Sequence, residues 1–185
     1  MENPARKLDE RIGPTSPLPA ILRLRNWIFG LKSPNFIIRI GFYYLTIVGI
    51  IFLVWNVLSF IALQMRFLVR ANKNISISEF LSERAIELEI HPDYILPKLL
   101  TYFSIAAICW GVFLFALVLL WRKKKMFFWV GAVALVFHIG MGIFYVGGLY
   151  FWAEISNLDK LVIFSSIAAL AFYRFFQFPS GTSSK

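Results

Sequence analysis

His138 is the one titratable side chain in the middle of a long apolar run, so any buried chemistry must start there. Ionisable groups are costly inside a bilayer, which makes a histidine at that depth a candidate for function. A neutral imidazole costs less. The favoured reading is a neutral His138 that hydrogen-bonds a polar group on another helix, with a proton pathway, substrate contact, and haem or metal ligation as rivals. Haem lacks a second ligand from this chain, because the only other histidine, His91, lies in a polar loop. Cys109 is the only cysteine, so neither an intrachain disulfide nor a CxxC pair can form.

Other constellations are sparse. All ten Asp and Glu lie outside the apolar runs, so no carboxylate pair is expected to be buried with His138. Ser59, Ser104, Ser165 and Ser166 have no evident His/Asp arrangement. There is no G-x-S-x-G, H-E-x-x-H, P-loop or G-x-G-x-x-G. The pattern leans away from an enzyme. It assigns no catalytic residue, no metal and no cofactor, and leaves His138 as the one candidate for cofactor contact.

The elements that would position these residues are membrane helices. The chain has 185 residues, of which 59% are hydrophobic and only 16% charged, against about a quarter charged in soluble domains. Four apolar runs, at about 36–63, 99–121, 127–152 and 161–178, each approach or exceed the ~18–20 residues that cross ~30 Å of hydrocarbon. The fold class is therefore an all-α integral membrane protein with four transmembrane helices in one membrane domain, 34–178. The net charge of +9 does not point to nucleic acid, because the basic residues flank the runs. Of the 19 Lys and Arg, 13 fall on the side shared by both termini and the Arg122, Lys123, Lys124, Lys125 loop. The positive-inside rule then puts both termini in the cytoplasm, with Arg122–Lys125 as the main topology anchor. The first run reads as an uncleaved signal anchor, and the location as a bacterial inner (plasma) membrane.

Around the runs the chain divides further. Residues 1–19, with Pro4, Pro14, Pro17 and Pro19, read as a flexible cytoplasmic tail, and 179–185 as a second one. Over 20–33, Ile21, Leu24, Trp27, Ile28 and Leu31 share a helical face opposite Arg23, Arg25 and Lys32, which predicts an interfacial amphipathic helix. The outer loop, 64–98, holds a second amphipathic helix at about 77–89, started by a Ser76–Glu79 capping box. That helix reads as a lid on the outer membrane face or on the bundle, or as a surface for an extracytoplasmic partner. Asn56, deep in the first run, is expected to hydrogen-bond a neighbouring helix. Gly131, Gly140, Gly142 and Gly147 mark the third run as a close-packing helix.

Together these features predict a non-catalytic subunit or assembly factor of a multi-subunit integral-membrane complex, embedded in lipid beside other membrane subunits. The alternative is a small transporter or proton-conducting protein that uses His138.

Overall fold

The computed structural model describes residues 18–29, 34–65 and 77–177. The tails, the first part of the outer loop and the capping Ser76 lie outside them. Every element among the described residues is helical. In chain order they are α1 (Leu18–Phe29), α2 (Phe36–Gln64), α3 (Ile77–Glu87), α4 (Pro92–Trp121), α5 (Met126–Gly140), α6 (Gly148–Ala153) and α7 (Asn157–Phe172). Two of them widen into π-helical turns: α5 over Met141–Val146 and α7 over Tyr173–Gln177. Three helices are long and apolar enough to cross a membrane: Phe36–Gln64, Pro92–Trp121 and Met126–Val146. The α-helical part of the fourth run is 16 residues long.

Two boundaries differ from the expected ones for local reasons. The second run begins at Pro92, within the expected outer loop, because His91 caps α4 by accepting from the Asp93 N–H and Pro92 occupies the first turn. Proline suits that position, where the missing N–H has no helical acceptor to lose. The third run ends at Val146 rather than Trp152. Gly147 has φ 147° and ψ 147°, a conformation almost confined to glycine, and α6 starts afresh after it.

α4 is the central helix and packs on α2, α3 and α5. Trp110, Phe113, Leu117 and Leu120 of α4 meet Ile38, Phe42, Leu45 and Val48 of α2, Phe127 and Leu135 of α5, and Ile163 and Leu170 of α7. Lipid is as apolar as these side chains, so contact quality rather than hydrophobic transfer holds them together. Glycine sets that quality at four places. A Cβ on Gly49 would stand 2.6 Å from Leu114, on Gly131 2.8 Å from Leu170, and on Gly142 3.1 Å from Phe151. On Gly41 it would overlap the Tyr173 ring. Gly140 differs from these, because a Cβ there would meet only Phe144 of its own chain segment at 4.0 Å. Nothing lies within 4 Å of a Cβ at Gly147, whose contribution is conformational.

The α4–α5 hairpin is closed by Arg122–Lys125, all four exposed. Lys123 takes φ 56°, and the Lys124 and Lys123 N–H groups bond the Leu119 and Leu120 carbonyls. This is a Schellman turn with lysine at the position glycine usually holds. α3 ends the same way at Glu89, with the Ile90 and Glu89 N–H groups bonded to the Ala85 and Ile86 carbonyls. Ala85, Leu88 and Ile90 then pack under Ile95, Leu99 and Tyr102, so α3 sits on the bundle as a lid.

The Gly41 notch and the open site at Gly140 give opposite expectations. Gly41→Ala must displace Tyr173 and should cost about 1–3 kcal/mol, lowering the thermal midpoint in detergent. Gly140→Ala should be neutral or stabilising by up to about 1 kcal/mol, because the helix gains a better former without a clash. Equal midpoints for the two variants would show that the notch does not matter.

Candidate functional site

The site is a wedge between α2 and α7 at the α3 end of the bundle. These two helices share few contacts. At the Arg122–Lys125 end they are tied, with the Tyr173 hydroxyl donating to the Ile37 carbonyl at 3.2 Å. Toward α3 they part and leave a cavity of about 220 Å³. Its walls come from Phe52, Trp55, Asn56 and Ser59 of α2, Tyr102 and Phe103 of α4, His138 of α5, Tyr150 of α6, and Asp159 and Ile163 of α7, with Glu154 and Ile155 between the last two. An apolar groove of about 560 Å³ adjoins it along α2 and shares Phe52, Trp55 and Asp159 as walls.

His138 forms part of the cavity wall and is only 3% exposed. Its Nε2 lies 3.4 Å from the Tyr102 hydroxyl, the long end of hydrogen-bonding range, and the tautomer decides which group donates. Among the described residues its Nδ1 has no partner, and neither does Nε1 of the fully buried Trp110, whose ring centre is 5.9 Å from that of His138. Leaving a buried polar atom unpaired costs about 1–3 kcal/mol, so this corner of the core retains unmet hydrogen-bonding capacity. An aromatic chain surrounds it: Phe52 stacks on Trp110 at 4.5 Å, and Tyr102 meets Tyr150 edge-on at 5.7 Å.

Asn56 is buried, but its amide donates to Phe52 of its own helix at 2.7 Å rather than to a neighbour. The i−4 carbonyl is the nearest acceptor, while the facing helix has moved away at the wedge. No carboxylate is buried with His138, but two stand at the rim of its cavity. Glu154 and Asp159 line the same cavity as His138, because the break at Gly147 turns the chain back over the bundle end. Glu154 is engaged by Arg84 of α3, whose Nε donates to Oε1 at 2.7 Å and whose guanidinium also pairs with Glu87. The hydrogen bond to Glu154, then that to Glu87, raise the Arg84 pKa. Asp159 has its own N–H bonded to the Ser156 hydroxyl at 3.1 Å, and its carboxylate makes no ion pair among the described residues.

Lys160, next in sequence, points elsewhere. It is 7% exposed, donates to the Trp152 carbonyl at 3.0 Å and Asn157 Oδ1 at 3.4 Å, and lies 5.0 Å from the Trp152 ring centre. A carbonyl and an aromatic face together make burial of the ammonium tolerable. Among the described residues, no group of three or more His, Cys, Asp or Glu is placed to hold a metal ion.

Sequence reasoning singled out His138 but not Asn56, Tyr102, Tyr150, Glu154 or Asp159 as site residues. One signal was present. Gly147-Gly148 is a breaker pair, and Ser156 to Asp159 has N-cap spacing, so a helix break followed by a new helix start could be read there. No protein-family model matches the chain, and no curated protein or solved structure does either.

Arg84 is the strut between lid and turn. Arg84→Ala should speed amide hydrogen exchange across Ile77–Ile90 and Gly148–Asp159, while exchange in the α2–α4 core stays unchanged. Unchanged exchange in the lid would mean that Ala85 and Leu88 hold it without the ion pair.

Proposed function

We propose that this chain is a non-catalytic subunit or assembly factor of a multi-subunit integral-membrane complex, a protein that holds rather than converts. The observation that carries this reading is the blind cavity, whose lining mixes polar and apolar groups. Its polar lining ends at His138, and beyond it toward Arg122–Lys125 the core is Trp110, Phe113, Leu117, Leu120, Phe127 and Leu135, all essentially inaccessible. A blind cavity suits a bound group, whereas conduction needs polar groups continuing to the other face. The reading includes four spans, both termini in the cytoplasm, and a bacterial inner membrane. In this reading α7 with its π-helical extension would make the fourth crossing, and exposed Phe80 and Ile86 on α3 support an extracytoplasmic contact.

Gentle detergent extraction followed by native mass analysis tests it. Partner subunits should accompany the chain, and recovery as a lone monomer from several mild detergents would overturn the proposal. Orientation has its own test in a Cys109→Ala background. An impermeant maleimide applied to intact cells should label Glu83→Cys and spare Lys123→Cys and Ser183→Cys, and the reverse pattern would invert the topology.

The rival reading, proton conduction through His138, is favoured by one observation: the imidazole and the Tyr102 hydroxyl are adjacent in a cavity open at one end. Liposomes holding the purified chain should leak protons no faster than empty ones. A flux abolished by His138→Ala would replace the subunit reading with this one.

A further inference from the structure

The cavity and the groove beside it have complementary chemistry and share a single charged wall, Asp159. Ile50, Ile51, Val54 and Leu58 of the groove are apolar, largely exposed, and lie on a membrane-spanning helix, so the groove opens onto hydrocarbon. The cavity beyond it mixes apolar walls with polar groups, and its two carboxylates are unequal. Glu154 is neutralised by Arg84, while Asp159 has no ion-pair partner among the described residues. Among the described residues, Lys160 is committed to a carbonyl and an amide, and Lys98 to the Val146 carbonyl at 3.5 Å. An apolar slot leading to an unpaired carboxylate therefore fits a molecule with a hydrocarbon chain and a positive head.

We propose that this wedge binds a bilayer lipid bearing a primary ammonium headgroup, with its chain in the α2 groove and its ammonium at Asp159. Three features favour an ammonium head. A carboxylate in a partly desolvated site is stabilised by a cation that also donates hydrogen bonds. Asn56, with one amide N–H on the Phe52 carbonyl, offers Oδ1 as an acceptor in the same lining. The aromatic walls Trp55, Tyr102 and Tyr150 favour ammonium through their ring faces. An anionic head would face Asp159, and among the described residues the cations Arg84, Lys98 and Lys160 already have partners. A trimethylated head would lack the N–H donors that the carboxylate and Asn56 can accept. The groove volume of about 560 Å³ lies within the usual ~300–1,000 Å³ of ligand pockets.

The test is native mass spectrometry of the purified chain exchanged into mixed micelles with equal phosphatidylethanolamine, phosphatidylcholine and phosphatidylglycerol of identical acyl chains. One phosphatidylethanolamine should be retained at least about tenfold over the other two. Asp159→Asn should abolish that preference and Asp159→Glu should restore it. Should Asp159→Asn fail to fold, Ile51→Trp, which fills the groove at an exposed position, should remove the retained lipid instead. Free ethanolamine should compete poorly, since it lacks the chain. Equal retention of the three lipids, an Asp159→Asn variant with the same preference, or a partner polypeptide in place of lipid would each overturn the proposal. These outcomes concern the isolated chain, so they stand apart from whether it belongs to a complex.

Discussion

The insertion of Tyr173 into the notch at Gly41 decides how this bundle closes. A side chain at residue 41 would occupy the space of the phenol ring, so only glycine lets α7 reach α2 at the Arg122–Lys125 end. The hydroxyl then satisfies the Ile37 carbonyl near the start of α2. Nothing comparable joins the two helices at the α3 end, where Phe52, Trp55, Asp159 and Ile163 face a cavity instead of one another. A pair tied at one end and parted at the other forms a wedge. The cavity, the groove and the exposure of Asp159 all follow from that asymmetry.

The bilayer imposes the second constraint, since polar groups within it must find partners inside the protein. Most do so locally. Asn56, Ser104, Ser165 and Ser166 each bond a carbonyl of their own helix three or four residues back. Lys160 uses a carbonyl, an amide and an aromatic face at the α6–α7 turn. Among the described residues, Thr46, His138 and Trp110 do not complete their sets, and the His138 ring lies against the cavity. Unmet capacity at that point marks where the bundle departs from a purely packed core, and it coincides with the place where α2 and α7 separate.

Length and hydropathy made the helical class and three long apolar helices legible, because a period of twenty apolar residues has few other uses. Gly131 and Gly142 could be picked out as small positions in a packing helix, and both do face close neighbours. Gly41 and Gly49 could not, since a lone glycine in a long apolar helix looks the same whether a ring or lipid covers it. Gly140 and Gly147 show the converse: the same residue type serves an open surface in one case and a backbone break in the other. Asp159 and Glu154 were hidden for a topological reason. They lie far from His138 along the helical path, and only the reversal after Gly147 folds them back over the same cavity.

The asymmetry between the two ends of the α2–α7 pair can be measured directly. Spin labels in lipid nanodiscs at Leu58 and Leu161 flank the wedge, and labels at Ile40 and Phe176 flank the tied end; all four residues are exposed. The expected result from pulsed dipolar spectroscopy is a broad Leu58–Leu161 distribution that changes with lipid composition, beside a narrow Ile40–Phe176 distribution that does not. Two equally narrow distributions, both insensitive to lipid, would mean that α2 and α7 close along their whole length and that no wedge exists.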